Sequence, residues 1–258
     1  MIIDTHAHLM FDQFKGKEID VLKKAAGVGV GRIINVGCSK DASRQAYEML
    51  AKYDGKSGVS LYVSLGLHPY DVLDLSDELL SEWEGWIKKE KRIVAIGEIG
   101  LDYFKAQVSK DKQKEAFIKQ LEFAERVGLP VIIHNREADE DTFEILLKYP
   151  KIKAVFHCYG SDLPFARKLW DHGYFTSFTG VITYPNAKNL HEVVRECPDW
   201  TVIVETDCPF LAPQRVRGSV NEPSYVVDVL KEIAKIKGRD FADIEELQER
   251  NVKGFYGV

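Results

Sequence analysis

A (β/α)8 barrel is the fold this sequence predicts, on three observations: eight short apolar runs, helical segments between them, and polar residues gathered at the C-terminal ends of the runs. The runs are Met1 to Asp4, Arg32 to Gly37, Leu61 to Leu67, Ile93 to Gly97, Pro130 to Ile133, Ala154 to Phe156, Phe175 to Phe178 and Val202 to Val204. Each is rich in Ile, Val or Phe without strict polar alternation, as parallel strands buried on both faces require.

Helical spacing fills the intervals at Ala42 to Lys52, Ser76 to Glu90, Lys112 to Val127, Asp139 to Lys148, Pro164 to His172, Asn186 to Glu196 and Pro223 to Lys237. In the third of these, Phe117, Leu121 and Ala124 share one face, and Gly128 followed by Pro130 stops the helix. Strands alternating with helices make a parallel sheet. Eight such units in 258 residues favour closure into a barrel, whose usual length is about 250. An open sheet is the alternative, because strand order is not written in a single sequence. No linker, repeat or low-complexity stretch divides the chain, so one domain over residues 1–258 is expected.

Composition narrows the function classes. A formal net charge of -5 argues against holding nucleic acid by a general basic surface, so any such chemistry is local to a site. Cys38, Cys158, Cys197 and Cys208 form neither a CxxC pair nor a disulfide framework, and reduced, mostly buried thiols are expected. With no apolar stretch of membrane-spanning length and no basic leader before Ile2-Ile3-Asp4, the expectation is a cytoplasmic protein with neither membrane nor obligate protein partner.

The residues that close the runs carry the chemistry: His6 and His8, His68, Glu98, His134, His157 and Asp207. In a barrel these ends converge on one face. One residue separates His6 from His8, so a strand's period of two turns both imidazoles to the same side. His134 and His157 close Val131-Ile132-Ile133 and Ala154-Val155-Phe156. Either alone reads as a hydrogen-bonded core histidine. Four of the seven histidines at strand ends of one barrel read as metal ligands. Glu98 and Asp207 follow runs that would otherwise bury a carboxylate at considerable cost, and they supply balancing charge. Gly97 and Gly100 around Glu98 suggest close approach of the backbone to a ligand. Glu205 reads as a supporting acid. This donor set exceeds one tetrahedral zinc site and suits two divalent ions sharing a carboxylate.

The whole pattern resembles the TatD-related metal-dependent deoxyribonucleases, within the amidohydrolase-like barrels. The resemblance rests on Asp4-Thr5-His6-Ala7-His8-Leu9, Gly66-Leu67-His68-Pro69 and Gly97-Glu98-Ile99-Gly100-Leu101-Asp102-Tyr103. It continues through Leu129-Pro130-Val131-Ile132-Ile133-His134 with Arg136, His157-Cys158-Tyr159-Gly160, and Glu205-Thr206-Asp207-Cys208-Pro209-Phe210-Leu211-Ala212-Pro213. It implies that His6, His8 and Asp207 hold one ion, that His134 and His157 hold the second, and that Glu98 bridges them. It further implies that Asp207 deprotonates the attacking water, that His68 and Arg136 face the substrate phosphate, and that the reaction is 3′ to 5′ exonucleolytic hydrolysis of DNA, single-stranded or frayed. Two ions per chain are expected, Mg, Mn or Zn; imidazole donors favour Zn, Mn or Fe over Mg. One departure is Val220-Asn221-Glu222-Pro223, where the family has Arg first; Arg215 and Arg217 lie near enough in sequence to substitute.

The same metals could serve hydrolysis of an ester, lactone, amide or aminoacyl-tRNA bond, since fold and water activation are shared by many chemistries. A non-catalytic metal-binding scaffold would be suggested by a missing ligand, and none is missing.

Overall fold

The computed structural model describes residues 1–258, and all eight strands lie in one parallel sheet in the order β1 to β8. The barrel wall is β1 (Ile2–Ala7), β2 (Val30–Val36), β3 (Ser60–Leu65), β4 (Ile93–Asp102), β5 (Val131–Arg136), β6 (Ala154–Phe156), β7 (Phe175–Phe178) and β8 (Val202–Val204). Around it run α1 (Glu18–Gly27), α2 (Lys40–Tyr53), α3 (Asp77–Lys89), α4 (Lys110–Val127), α5 (Asp139–Leu146), α6 (Leu163–Asp171), α7 (Lys188–Glu196) and α8 (Val226–Lys237), followed by α9 (Phe241–Tyr256). The sequence reading locates all eight strands and seven of the nine helices; α1 and α9 are the two it leaves unmarked. It also ends β4 five residues early, at Gly97. No helix is long and apolar enough to cross a membrane, and all four cysteines are free thiols, two of them half-buried rather than buried.

Local signals set the helix ends. Ser39, Ser76 and Asp162 accept from the backbone N–H groups of Ala42, Leu79 and Phe165 at the starts of α2, α3 and α6, satisfying donors that the helix itself leaves unpaired. Gly128 closes α4 in the left-handed region, at φ 73°, which a side chain would disfavour.

Strand side chains divide between two apolar layers. Ile2, Ile33, Leu61, Val63, Leu65, Val131 and Val204 face the helices in the larger core. Ile3, Ile34, Val94, Ile132, Val155 and Ile203 fill the barrel and meet Val252, Phe255 and Tyr256 of α9. Helix α9 thus plugs the N-terminal mouth: Gln248 Nε2 donates to Ile3 O at 2.8 Å and Asn251 Nδ2 to Val202 O at 2.9 Å. Only the opposite mouth is left to receive a ligand, and there the loops after each strand converge.

The ring closes between β1 and β8 just beyond the end of β8, where Ala7 pairs in parallel with Cys208. Asp207 N donates to His6 O and His8 N to Cys208 O, both at 2.8 Å. Buried Asp4 accepts from Thr206 N at 2.9 Å and Thr206 Oγ1 at 2.6 Å across the same seam.

A candidate metal centre at the open mouth

The structure brings every candidate ligand into one cluster. From β1 come His6 and, one residue past the strand, His8, with their Nε2 atoms 3.2 Å apart. From beyond β8 comes Asp207, whose Oδ1 is 3.4 Å from His8 Nε2 and 3.7 Å from His6 Nε2. On the far side His134 Nδ1 and His157 Nε2 lie 2.7 and 2.8 Å from Glu98 Oε1, and 3.4 Å from each other. Glu98 divides between the groups, because its Oε2 is 3.5 Å from His6 Nε2 and 3.9 Å from His8 Nε2. Donors about 2.0–2.2 Å from a shared ion in tetrahedral array stand about 3.3 Å from each other. These separations, 2.7–3.9 Å, bracket that value.

Lone-pair direction gives a second test of fit. His8 Nδ1 is 2.8 Å from Val36 O, which can only accept, so Nδ1 carries the hydrogen and Nε2 offers its lone pair inward. His134 Nε2 is 3.2 Å from Asp102 Oδ2 in the same sense, which frees Nδ1 toward Glu98. This carboxylate–histidine pair fixes tautomer and ring orientation as metal sites commonly do. His6 Nδ1 and His157 Nδ1 are buried without a full hydrogen bond, 4.0 and 3.4 Å from the two oxygens of Glu205. Glu205 is itself fixed by Cys158 N at 2.6 Å and Ser177 Oγ at 2.7 Å, so it stands behind the cluster, as the sequence suggests. The residues present fit one or two divalent cations.

The electrostatics agree. Burial pushes Asp207 upward, but His8, His6 and His157 outweigh it and hold the carboxylate below its ordinary range. Burial likewise opposes ionisation of Glu98, and His157, His68 and His134 overcome it. Against the cost of burial, Asp207 raises the His8 imidazolium well above its usual value and Glu98 with Glu205 does the same for His157. Burial lowers His6 instead, so the cluster holds two ionised carboxylates among imidazoles of mixed tendency, and a divalent cation would balance that negative charge.

His68 is brought in as well, with Nε2 3.6 Å from Glu98 Oε1. Tyr70 N donates to His68 Nδ1 at 3.2 Å, so the proton sits on Nε2. Burial, reinforced by His134 and His157 against Glu98, lowers this imidazole to about 3. It is therefore a neutral donor aimed into the centre, and its lone pair is spent on the backbone. Arg136 ends β5 with its guanidinium 4.2 Å over the Phe104 ring. It does not pair with Asp102, whose oxygens are taken by His134, Tyr70 Oη and the Phe104 and Lys105 amides. Arg215 is bound by Asp228 at 2.9 Å and Arg217 lies 4.4 Å from the centre of the Tyr184 ring. Neither reaches a cluster ligand.

One expectation about Glu98 changes. The glycines around Glu98 serve strand packing instead of ligand approach: a Cβ on Gly97 would stand 2.6 Å from Ile132 Cβ, and one on Gly100, at φ +144°, 2.0 Å from His134 O. Close contact of β4 with β5 is what they permit. Sequence reasoning also missed Asp102 as the partner that orients His134. Its signal was a second acid four residues after Glu98 at the end of the same apolar strand.

Comparison with known proteins agrees with this geometry. Residues 3–257 match the model of the family described as TatD related DNase. The chain is 38% identical, over the whole of both chains, to the uncharacterized metal-dependent hydrolase YabD of Bacillus subtilis. It is 33% identical to the uncharacterized metal-dependent hydrolase YcfH of Escherichia coli K12, over 98% of this chain and 94% of that one. Among solved structures, YjjV, a TatD homolog from Escherichia coli K12, superposes with a TM-score of 0.91 at 28% identity, covering 100% of this chain and 98% of that one.

Proposed function

The chain belongs to the TatD-related DNase family, and from that premise we propose that it is a metal-dependent hydrolase that removes nucleotides from DNA ends in the 3′ to 5′ direction. The observation that carries this reading is the division of Glu98, one oxygen facing His6 and His8 and the other His134 and His157. A carboxylate so shared suits two cations a few ångströms apart, the arrangement used for in-line phosphoryl displacement. Divalent ions held there, Mg, Mn or Zn, would supply Lewis acidity and lower the pKa of a water molecule.

The protein's own groups do the rest. Asp207, kept ionised by the three histidines, takes the proton of the attacking water. The Nε2–H of His68 donates to a phosphoryl oxygen, and Arg136, free of carboxylate partners, meets another. A chain of net charge -5, with His68 and Arg136 at its mouth, suits a single-stranded or frayed end better than a long duplex.

The test incubates metal-loaded protein with end-labelled linear DNA, circular DNA, and ester, lactone and aminoacyl-tRNA substrates. Stepwise shortening of linear DNA, abolished by chelator and by His6→Ala, is expected. Intact DNA across Mg, Mn and Zn, together with turnover of an acyl substrate, would assign the barrel to the other class of hydrolase.

A further inference from the structure

Four large aromatic side chains stand exposed, and three of them, Tyr70, Phe104 and Phe210, lie in loops at the open mouth; Trp200 is at the opposite end, just before β8. Phe210 is 47% and Phe104 54% exposed, a solvation cost that core packing does not recover. A single exposed ring needs no explanation. What distinguishes these two is their placement and rigidity.

Phe210 follows Asp207 by three residues. Its N–H donates to Asp207 O at 2.9 Å, and its carbonyl accepts from Nδ2 of Asn221, which is fully buried. Its ring meets Phe11 edge-on at 5.9 Å, and Phe11 lies flat on His8 at 4.9 Å with 7° between planes. Phe104 is fixed by its N–H to Asp102 Oδ1 at 2.9 Å and carries the Arg136 guanidinium over its ring. In an eight-stranded ring β4 and β8 stand half a turn apart, as do β1 and β5. The pair Phe210 and Phe11 therefore faces the pair Phe104 and Arg136 across the ligand cluster.

We propose that Phe210 and Phe104 are stacking platforms for the two unpaired nucleobases flanking the scissile phosphodiester, one on each side of the metal centre. The proposal rests on the nuclease reading and adds to it the requirement for unpaired bases. Every base offers a π-face, so such platforms tolerate any sequence while rejecting a paired end, whose bases are already stacked and hydrogen-bonded. The Arg136 cation beside Phe104 adds charge attraction to that side.

The probe is a single-stranded oligonucleotide carrying 2-aminopurine at the last or the penultimate position of its 3′ end, with abasic neighbours so that the free strand is bright. Binding to the full chain in chelator, read by anisotropy, should quench both probes. Phe210→Ala and Phe104→Ala should each restore emission at one of the two positions and weaken binding by about tenfold, whereas Phe210→Tyr keeps the quenching. With metal added, removing both terminal bases from the strand should raise KM for the wild type by a similar factor and leave the alanine variants less affected. Binding without quenching, or quenching that survives both alanine variants, overturns the stacking proposal and leaves the nuclease reading intact. Phenylalanine-dependent quenching with no strand shortening under any metal overturns the nuclease reading instead. A strand that binds neither in chelator nor with metal present sinks both.

Discussion

Glu98 acts through charge, since both of its oxygens are directed at imidazole nitrogens within 3.9 Å. Glu98→Gln keeps the shape and removes the charge, so metal content, measured by elemental analysis after dialysis, should fall together with turnover while the circular dichroism spectrum holds. Retention of both metals at normal turnover would refute bridging. Asp207→Asn differs, because His6, His8 and Glu98 still offer donors. Substrate binding should persist while the single-turnover rate falls at least about a hundredfold, the scale of general acid–base catalysis. An unchanged rate at saturating metal would remove Asp207 from proton transfer. The histidines were legible in the sequence because an imidazole closing an apolar run is conspicuous. Asp102 was not, because its hold on His134 depends on the register of β4 against β5, which pairs Gly100 with His134 and Asp102 with Arg136. Register is set between strands, and a single chain read in order does not carry it.

Helix α9 shows the same limit among the elements. Ile244, Leu247, Val252 and Phe255 recur at helical spacing, but buried Gln248 and Asn251 lie on the same face and break the apolar stripe. Their amides are spent on carbonyls at the barrel's lower rim, a use visible only once the rim exists. The strands, by contrast, needed no partner to be recognised, since burial on both faces makes each a plain apolar run. Because Phe255 packs inside the N-terminal mouth at 3% exposure, Phe255→Ala should cost about 3–5 kcal/mol in urea unfolding. Metal content of the folded variant should match the wild type, since the ligands lie at the opposite end. Loss of metal without loss of stability would contradict the assignment of α9 as a plug.

For the whole molecule, a continuous parallel ring follows from eight strands in sequence order, and the reading of the sequence reached that class through the recurrence of its units. Closure was the part it could not supply, because the last contact joins the two ends of the chain. That contact is made by the ligand residues themselves: His6 and His8 exchange backbone hydrogen bonds with Asp207 and Cys208 while their side chains converge on one point. A cation there would work like the clasp of a bracelet, fastening first strand to last and shutting the one joint where the hoop can spring open. The apo protein should accordingly loosen first at this joint, with amide hydrogens of residues 5–8 and 205–208 exchanging faster than those of β4 and β5. Adding metal at about a thousandfold excess over its Kd should slow that exchange and raise unfolding stability by about 4 kcal/mol per bound ion. Equal protection around the ring with and without metal would mean that the clasp holds nothing.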